Sequence, residues 1–309
     1  MTIAISLVVG NGVVLGTDSA TSVVLPGDRY QNIYQNAEKT INLVKGLPLG
    51  LMTYGLGSLG SLSIASLARA LREQLSGEAA GGLVPVLDRS RYTVGEVATI
   101  VKRYFYDELY TTMYPPPAET YPRMAPADEE PPGDGADDPY PSLGFVVAGI
   151  SAGAYYPEVW TVQIGPDGRC GEPELRVPPG AAGVIDCWGQ PEAIYRLVYG
   201  WSKEAYARML DSGLSAEAAN KVLLSQAALA HPGMPIQDAI DLVQYLADIT
   251  VGYMRFKPGM PTVTPPIDIA VITPFQGFKW VRRKLYYPAE LNPGEPPHRH
   301  TLSPPARRI

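Results

Sequence analysis

Residues 1–20 read MTIAISLVVGNGVVLGTDSA. Met1 and Thr2 lead into an apolar run, Ile3–Val9. Gly10-Asn11-Gly12 interrupts it, a second run follows at Val13–Thr17, and the stretch closes on Asp18-Ser19-Ala20. Two short apolar runs around a Gly-Asn-Gly turn predict a β-hairpin. Their nearly continuous apolarity, without strict alternation, predicts a sheet covered on both faces. A three-residue loop with Gly12 left-handed would pair Val9 with Val13. It would set Ala4 opposite Asp18 and Thr2 opposite Ala20, with Thr2 and Asp18 as diagonal neighbours on one face.

Working outward, Thr40–Val44 and Leu49–Tyr54 read as two more strands joined by Lys45-Gly46-Leu47-Pro48. Helical spacing predicts helices over Ser58–Leu75 and Val94–Met113. Tyr114–Pro141 carries nine prolines and a cluster of acids, and reads as an insertion projecting from the body. Strands resume at Leu143–Ile150, Val159–Ile164, Glu174–Val177 and Gly183–Cys187. Helices follow over Pro191–Leu210, Ala216–Ala230 and Ile236–Met254, then strands at Ile267–Thr273 and Gly277–Val281. Runs of strands alternating with runs of helices argue against a doubly wound parallel sheet. They predict an α+β fold, a four-layer αββα sandwich of two antiparallel sheets flanked by helices. The expected organisation is one domain over 1–283, with the insertion at about 114–141 and a Pro-rich tail over 284–309.

The formal net charge of the 309 residues is −6. Residues 118–138 hold seven acids and one base, so the rest of the chain is balanced. The body therefore has no basic field suited to nucleic acid. No apolar stretch is long enough for a membrane span. The opening lacks a basic n-region and is broken by Gly10-Asn11-Gly12, unlike a secretory signal. Cys170 and Cys187 show neither CxxC nor zinc spacing. These features give an expectation of a cytoplasmic protein. Two of the three histidines, His298 and His300, sit in the Pro-rich tail, which argues against a His-based triad or metal site. No metal and no cofactor is expected.

Gly55-Leu-Gly57-Ser-Leu-Gly60 matches GxGxxG after a strand. However, four strands precede it, and the following candidate strand, Leu83–Asp88, is short and holds a proline. A nucleotide site ranks below tight turning and close helix-to-sheet packing.

The N-terminal residues carry more specific chemistry. Thr is small, so Met1 is open to removal by methionine aminopeptidase. A terminal Thr2 combines a hydroxyl nucleophile with an α-amine base whose pKa is about 7.7–8.0. Lys39 shares parity with Ile41 and Leu43 and so points to the apolar side, where a lysine needs a partner. Asp18 is the nearest one; a lysine marking the strand end or snorkelling to solvent is the alternative. An ammonium at Lys39 would lower the α-amine pKa. The backbone N–H of Gly55, where no side chain blocks approach, is a candidate oxyanion donor.

Thr2, the hairpin, Gly16-Thr17-Asp18-Ser19-Ala20, Lys39 and Leu51-Met52-Thr53-Tyr54-Gly55 together resemble the proteasome β-subunit branch of the N-terminal nucleophile (Ntn) hydrolases. They are similar also to its bacterial HslV-like and Anbu-like branches. The resemblance is clear over residues 2–75 and continues as matching element order to about 283. It implies the αββα Ntn fold, threonine peptidase activity on peptide or unfolded polypeptide, and a homo-oligomer forming a ring or related chamber; an ATPase partner stays open. It assigns Thr2, Asp18, Lys39 and Asp248 as catalytic and Gly55 as oxyanion donor. Thr21, Ala37, Thr53 and Gly57 would line a small, neutral substrate pocket suited to a large apolar side chain. Two family positions differ: Val251 stands where a serine belongs, and Cys187-Trp188-Gly189-Gln190 lacks the serine of a Gly-Ser-Gly turn. A non-peptidase Ntn amidohydrolase and a catalytically weak or inactive assembly subunit are the alternatives. A plain helix-end aspartate is the alternative for Asp248.

Overall fold

The structure, a computed structural model, describes residues 2–24, 31–79, 82–115, 140–200, 202–223 and 227–284. The greater part of the expected insertion and residues 285–309 of the tail lie outside them.

The hairpin builds the centre of the first sheet. β1 (Ile3–Val9) and β2 (Gly12–Thr17) are buried along their whole length. β12 (Val184–Gly189) flanks β1, while β13 (Asp268–Thr273) and β14 (Gly277–Arg282) extend the β2 side, giving the order β12-β1-β2-β13-β14. The second sheet has the order β11-β10-β9-β6-β5, from β11 (Glu174–Val177), β10 (Glu158–Ile164), β9 (Leu143–Gly149), β6 (Leu49–Gly55) and β5 (Thr40–Asn42). Every neighbouring pair in both sheets is antiparallel.

Side-chain alternation explains why the opening runs are apolar throughout. Ala4, Val8, Val13 and Leu15 face Met52, Val146 and Ala148 of the second sheet. Ile3, Ile5, Leu7 and Val9 face the other way, onto α4 (Glu192–Val198) and α7 (Ile236–Phe256). The second sheet turns Ile41, Leu51, Phe145 and Val162 onto α1 (Ile64–Leu75) and α2 (Val94–Lys102). Helix, sheet, sheet, helix is therefore the layer order, the αββα sandwich expected from the sequence. Thr17 and Thr40 join the two sheets through a buried hydroxyl–hydroxyl hydrogen bond of 2.9 Å.

The hairpin register differs from the expected one by one residue. Val9 pairs with Gly12 and Ala4 with Thr17, so only Gly10 and Asn11 form the loop. Gly12 is held in the sheet because β13 lies against it: a Cβ there would come 2.4 Å from the Ile272 carbonyl oxygen. β2 ends at Thr17, and Asp18, no longer bound by strand parity, hydrogen-bonds back to Ile3.

Other bounds also move. The helix expected from Ser58 begins at Ile64, capped by the Ser63 side chain, after a two-strand ribbon of β7 (Ser58–Leu59) and β8 (Leu62–Ser63). Another unexpected ribbon pairs β3 (Thr21–Val24) with β4 (Gln31–Tyr34). The helix over Val94–Met113 is continuous. Its middle, Arg103–Tyr110, is wound as a π-helix, and α3 (Thr111–Met113) ends it. The helix expected over Pro191–Leu210 divides into α4 and α5 (Lys203–Asp211), with Ser202 capping the second part. α6 is Ala216–Leu223. No helix among the described residues is long and apolar enough to cross a membrane.

Candidate active site

The two sheets part at the end where β1 begins and β6 ends. There they leave a cleft of about 880 Å3. Thr2, Lys39 and Gly55 all stand on its wall, with Thr21, Ala37, Thr53 and Gly57. Asp18 lies behind the wall and is fully buried.

Asp18 organises the floor. Its Oδ1 accepts from the Ile3 N–H at 3.0 Å and from Lys39 Nζ at 2.7 Å, and its Oδ2 accepts from the Ala20 N–H at 2.9 Å. One carboxylate thus ties the start of β1 to the lysine. Lys39 lies one residue before β5, is 6% exposed, and points its ammonium into this junction. Burial pulls the Lys39 pKa below the ordinary 10.5; Asp18 opposes the shift, and nearby Lys284 adds to it.

Thr2 is fixed from behind. Its carbonyl oxygen accepts from the Gln190 N–H at 2.8 Å, just past β12. Gly189 carries φ +87°, and a Cβ there would fall 1.9 Å from the Thr2 oxygen, so only glycine permits this approach. The turn that lacks the expected serine therefore still holds Thr2, through backbone.

Gly55 ends β6 with φ +90°, its Cα against the Ser142 carbonyl. The Thr53 N–H donates to the Lys39 carbonyl on one side of β6, and the Leu56 N–H donates to Ser142 on the other. Antiparallel alternation puts the N–H of Gly55 on the Thr53 side, towards the cleft. The Gly55–Gly60 stretch forms a strand end and a ribbon turn between antiparallel strands, with no βαβ unit. This removes the structural context that a dinucleotide turn needs.

Asp248 is not part of this wall. It lies within α7, on an exposed position, and accepts from Gln244 Nε2 at 2.8 Å. The family resemblance suggested its catalytic role; here it sits inside the helix expected over Ile236–Met254, observed as Ile236–Phe256, where it serves an i,i+4 pair on the helix surface.

The cleft holds residues that the sequence reading did not single out. Lys284 Nζ reaches Asp268 Oδ2 at 2.5 Å and Ser19 Oγ at 2.6 Å, and Asp268 is fully buried. Glu38 accepts from Arg69 through one oxygen and from Arg283 Nη2 at 2.8 Å through the other. The wall thus carries charge as well as the four small neutral residues expected to line the pocket. The missing signal was long-range: Arg69 comes from α1 and Arg283 from beyond β14. Among the described residues no group of three or more His, Cys, Asp or Glu could hold a metal.

The molecule is a four-layer αββα sandwich with Thr2, Gly55 and Lys39, the last paired with the buried Asp18, on the wall of one cleft. The αββα layering is the architecture implied by the Ntn-hydrolase resemblance. No family profile matches the chain, and no curated protein matches it. Among solved structures it is similar to the Anbu (Gly-1) mutant from Hyphomicrobium sp. strain MC1. The two share 16% identity at a TM-score of 0.48, over 92% of this chain and 86% of that one.

Proposed function

We propose that the chain is a threonine-type peptidase whose nucleophile is Thr2 once Met1 is removed. The observation that carries this reading is the gathering of Thr2, the Lys39–Asp18 pair and Gly55 on one cleft. The Thr2 hydroxyl attacks the scissile carbonyl while its own α-amine takes the proton. The carbonyl oxygen becomes an oxyanion held by the Gly55 N–H. Collapse breaks the C–N bond, the amine returns the proton to the leaving nitrogen, and an ester joins the acyl group to Thr2. Water, deprotonated by the same amine, then frees the acid. Lys39, kept as an ammonium by Asp18, holds the α-amine neutral at working pH. Asp248 is given no step. Enclosure in a homo-oligomeric chamber would keep such a nucleophile from folded proteins; native mass spectrometry at an integer multiple of the chain mass is the expected result.

Intact-mass measurement is expected to find the chain beginning at Thr2. That form should form an acyl-enzyme with peptide esters, and Thr2→Ala should abolish both the adduct and turnover. Peptide cleavage by Thr2→Ala would overturn the assignment. The reading of a weak or inactive assembly subunit is favoured by one observation. At the places expected to orient the amine stand Val251, the serine-free turn Cys187-Trp188-Gly189-Gln190 and a surface Asp248. A chain that begins at Thr2 yet forms no adduct would establish it.

A further inference from the structure

Among the described residues, the wall of the cleft beside Thr2 carries an excess of positive charge. Glu38, Lys39, Arg69, Arg283 and Lys284 line it. Two of these cations are matched by carboxylates buried behind the wall, Lys39 by Asp18 and Lys284 by Asp268. That leaves Glu38 alone against two guanidiniums.

Glu38 is spent. Its side chain is 5% exposed, one oxygen is taken by Arg69 and the other by Arg283. Each arginine gives one N–H to it, and a guanidinium has five. The arginine side chains are 41% and 38% exposed, and both residues line the cleft, so each has donors open to a ligand there. Glu38 also fixes them, because a carboxylate bridging two guanidiniums limits the rotamers of both. Arg283 is further held over the Trp280 ring at 4.9 Å. The opening of α1 at Ser63, Ile64 and Ala65 lies on the same wall with no acid in its first turn, so the helix dipole adds a field of the same sign.

We propose that Arg69 and Arg283 form a carboxylate-binding subsite, so that the substrate preferred at the Thr2 cleft bears a carboxylate within reach of the scissile bond. This rests on the peptidase reading for what happens at Thr2, but not for binding. The carboxylate has two sources in a peptide, an acidic side chain or the chain terminus. A planar bidentate guanidinium site accepts either. An uncharged apolar side chain would leave the guanidiniums unsatisfied and gain no charge-assisted hydrogen bond.

The test separates binding from chemistry by using the full chain carrying Thr2→Ala. Fluorescein-labelled hexapeptides with a central Glu, Gln or Leu and an amidated C-terminus report the side-chain source. The Gln peptide with a free C-terminus reports the terminal source. In fluorescence anisotropy at low salt, a carboxylate peptide is expected to bind about tenfold more tightly than its amidated Gln counterpart, with the advantage shrinking as salt rises. Arg69→Met and Arg283→Met, each combined with Thr2→Ala, should remove that advantage while leaving Gln-peptide binding unchanged. Circular dichroism melts identify any variant that fails to fold, in which case the Glu-to-Gln ratio of the parent protein decides alone. Equal binding of Glu and Gln peptides, tighter binding of Leu, or no binding of any peptide overturns the subsite. Carboxylate-selective binding with no turnover by the chain beginning at Thr2 would instead uphold the subsite and sink the peptidase reading.

Discussion

Asp18 illustrates how much one buried carboxylate holds. Ile3, Ala20 and Lys39 all donate to it, and it has no access to water. An amide there would turn an NH2 towards donors on one side and leave the Lys39 ammonium buried without a counter-charge. Asp18→Asn is therefore expected to destabilise the fold by about 3–5 kcal/mol, measured by urea unfolding. A loss under about 1 kcal/mol would show that water or another group serves Lys39. In the peptidase reading Lys39 also sets the pH profile. kcat/KM should rise as the α-amine deprotonates, then fall as Lys39 loses its proton, at a pH below the ordinary lysine value of 10.5 because burial has lowered its pKa. Stability changes in the opposite sense. The folded pKa is below the unfolded one, so the Lys39 contribution increases as pH rises between them, and the falling limb is not unfolding. A limb at or above 10.5, or none, would remove Lys39 from the mechanism. The Asp18–Lys39 partnership was legible in sequence because a lysine on an apolar face demands a partner. The Glu38 bridge was not, since its two arginines lie 31 and 245 positions along the chain.

At the scale of elements, Thr2 is placed by backbone contacts between β1 and the end of β12. Gly189→Ala should push the Thr2 carbonyl away, because the added methyl would lie 1.9 Å from it. A displacement near 1 Å at a nucleophile costs on the order of 100-fold in rate, so kcat should fall by about that factor. Gly180→Ala is the control. It shares a positive φ, +89°, but has nothing within 4 Å of the new methyl, so it should cost roughly 1–2 kcal/mol of stability and no activity. Equal kinetics for the two variants would mean that Gly189 only relieves backbone strain. The long elements of both sheets were readable because their apolar runs exceed any local ambiguity. The ribbons β3–β4 and β7–β8 were not, since such short polar pairs carry no hydrophobic period. The hairpin register escaped for a related reason: Gly-Asn-Gly permits a two- or three-residue loop, and the close neighbour of Gly12 is Ile272 of β13, more than 250 residues away. The break between α4 and α5 was signalled by Gly200 and by Ser202, a good N-cap.

At the scale of the whole molecule, the described residues end at Lys284. The buried residues of the intersheet core and of the two helix-facing cores lie between 3 and 278, and the last strand, β14, ends at Arg282. Residues 283 and 284 then cross to the cleft, where Arg283 holds Glu38 and Lys284 holds Asp268. A chain ending at Lys284 keeps every contact described above and is the reference for a shorter one. A chain ending at Val281 should behave differently. Asp268 is fully buried, and among the described residues its carboxylate accepts only from Lys284, through the backbone N–H at 2.9 Å and Nζ. Removing that partner leaves an uncompensated buried carboxylate, with an expected loss of roughly 3–5 kcal/mol. That corresponds to a melting temperature lower by about 6 °C or more. The shorter chain also loses Arg283, so its cleft has one guanidinium against Glu38 and no surplus charge, and the preference for carboxylate peptides should vanish with it. Differential scanning calorimetry and the peptide anisotropy assay on both truncations check the two effects separately. Matching melts for the two chains would show that Lys284 is replaceable by water.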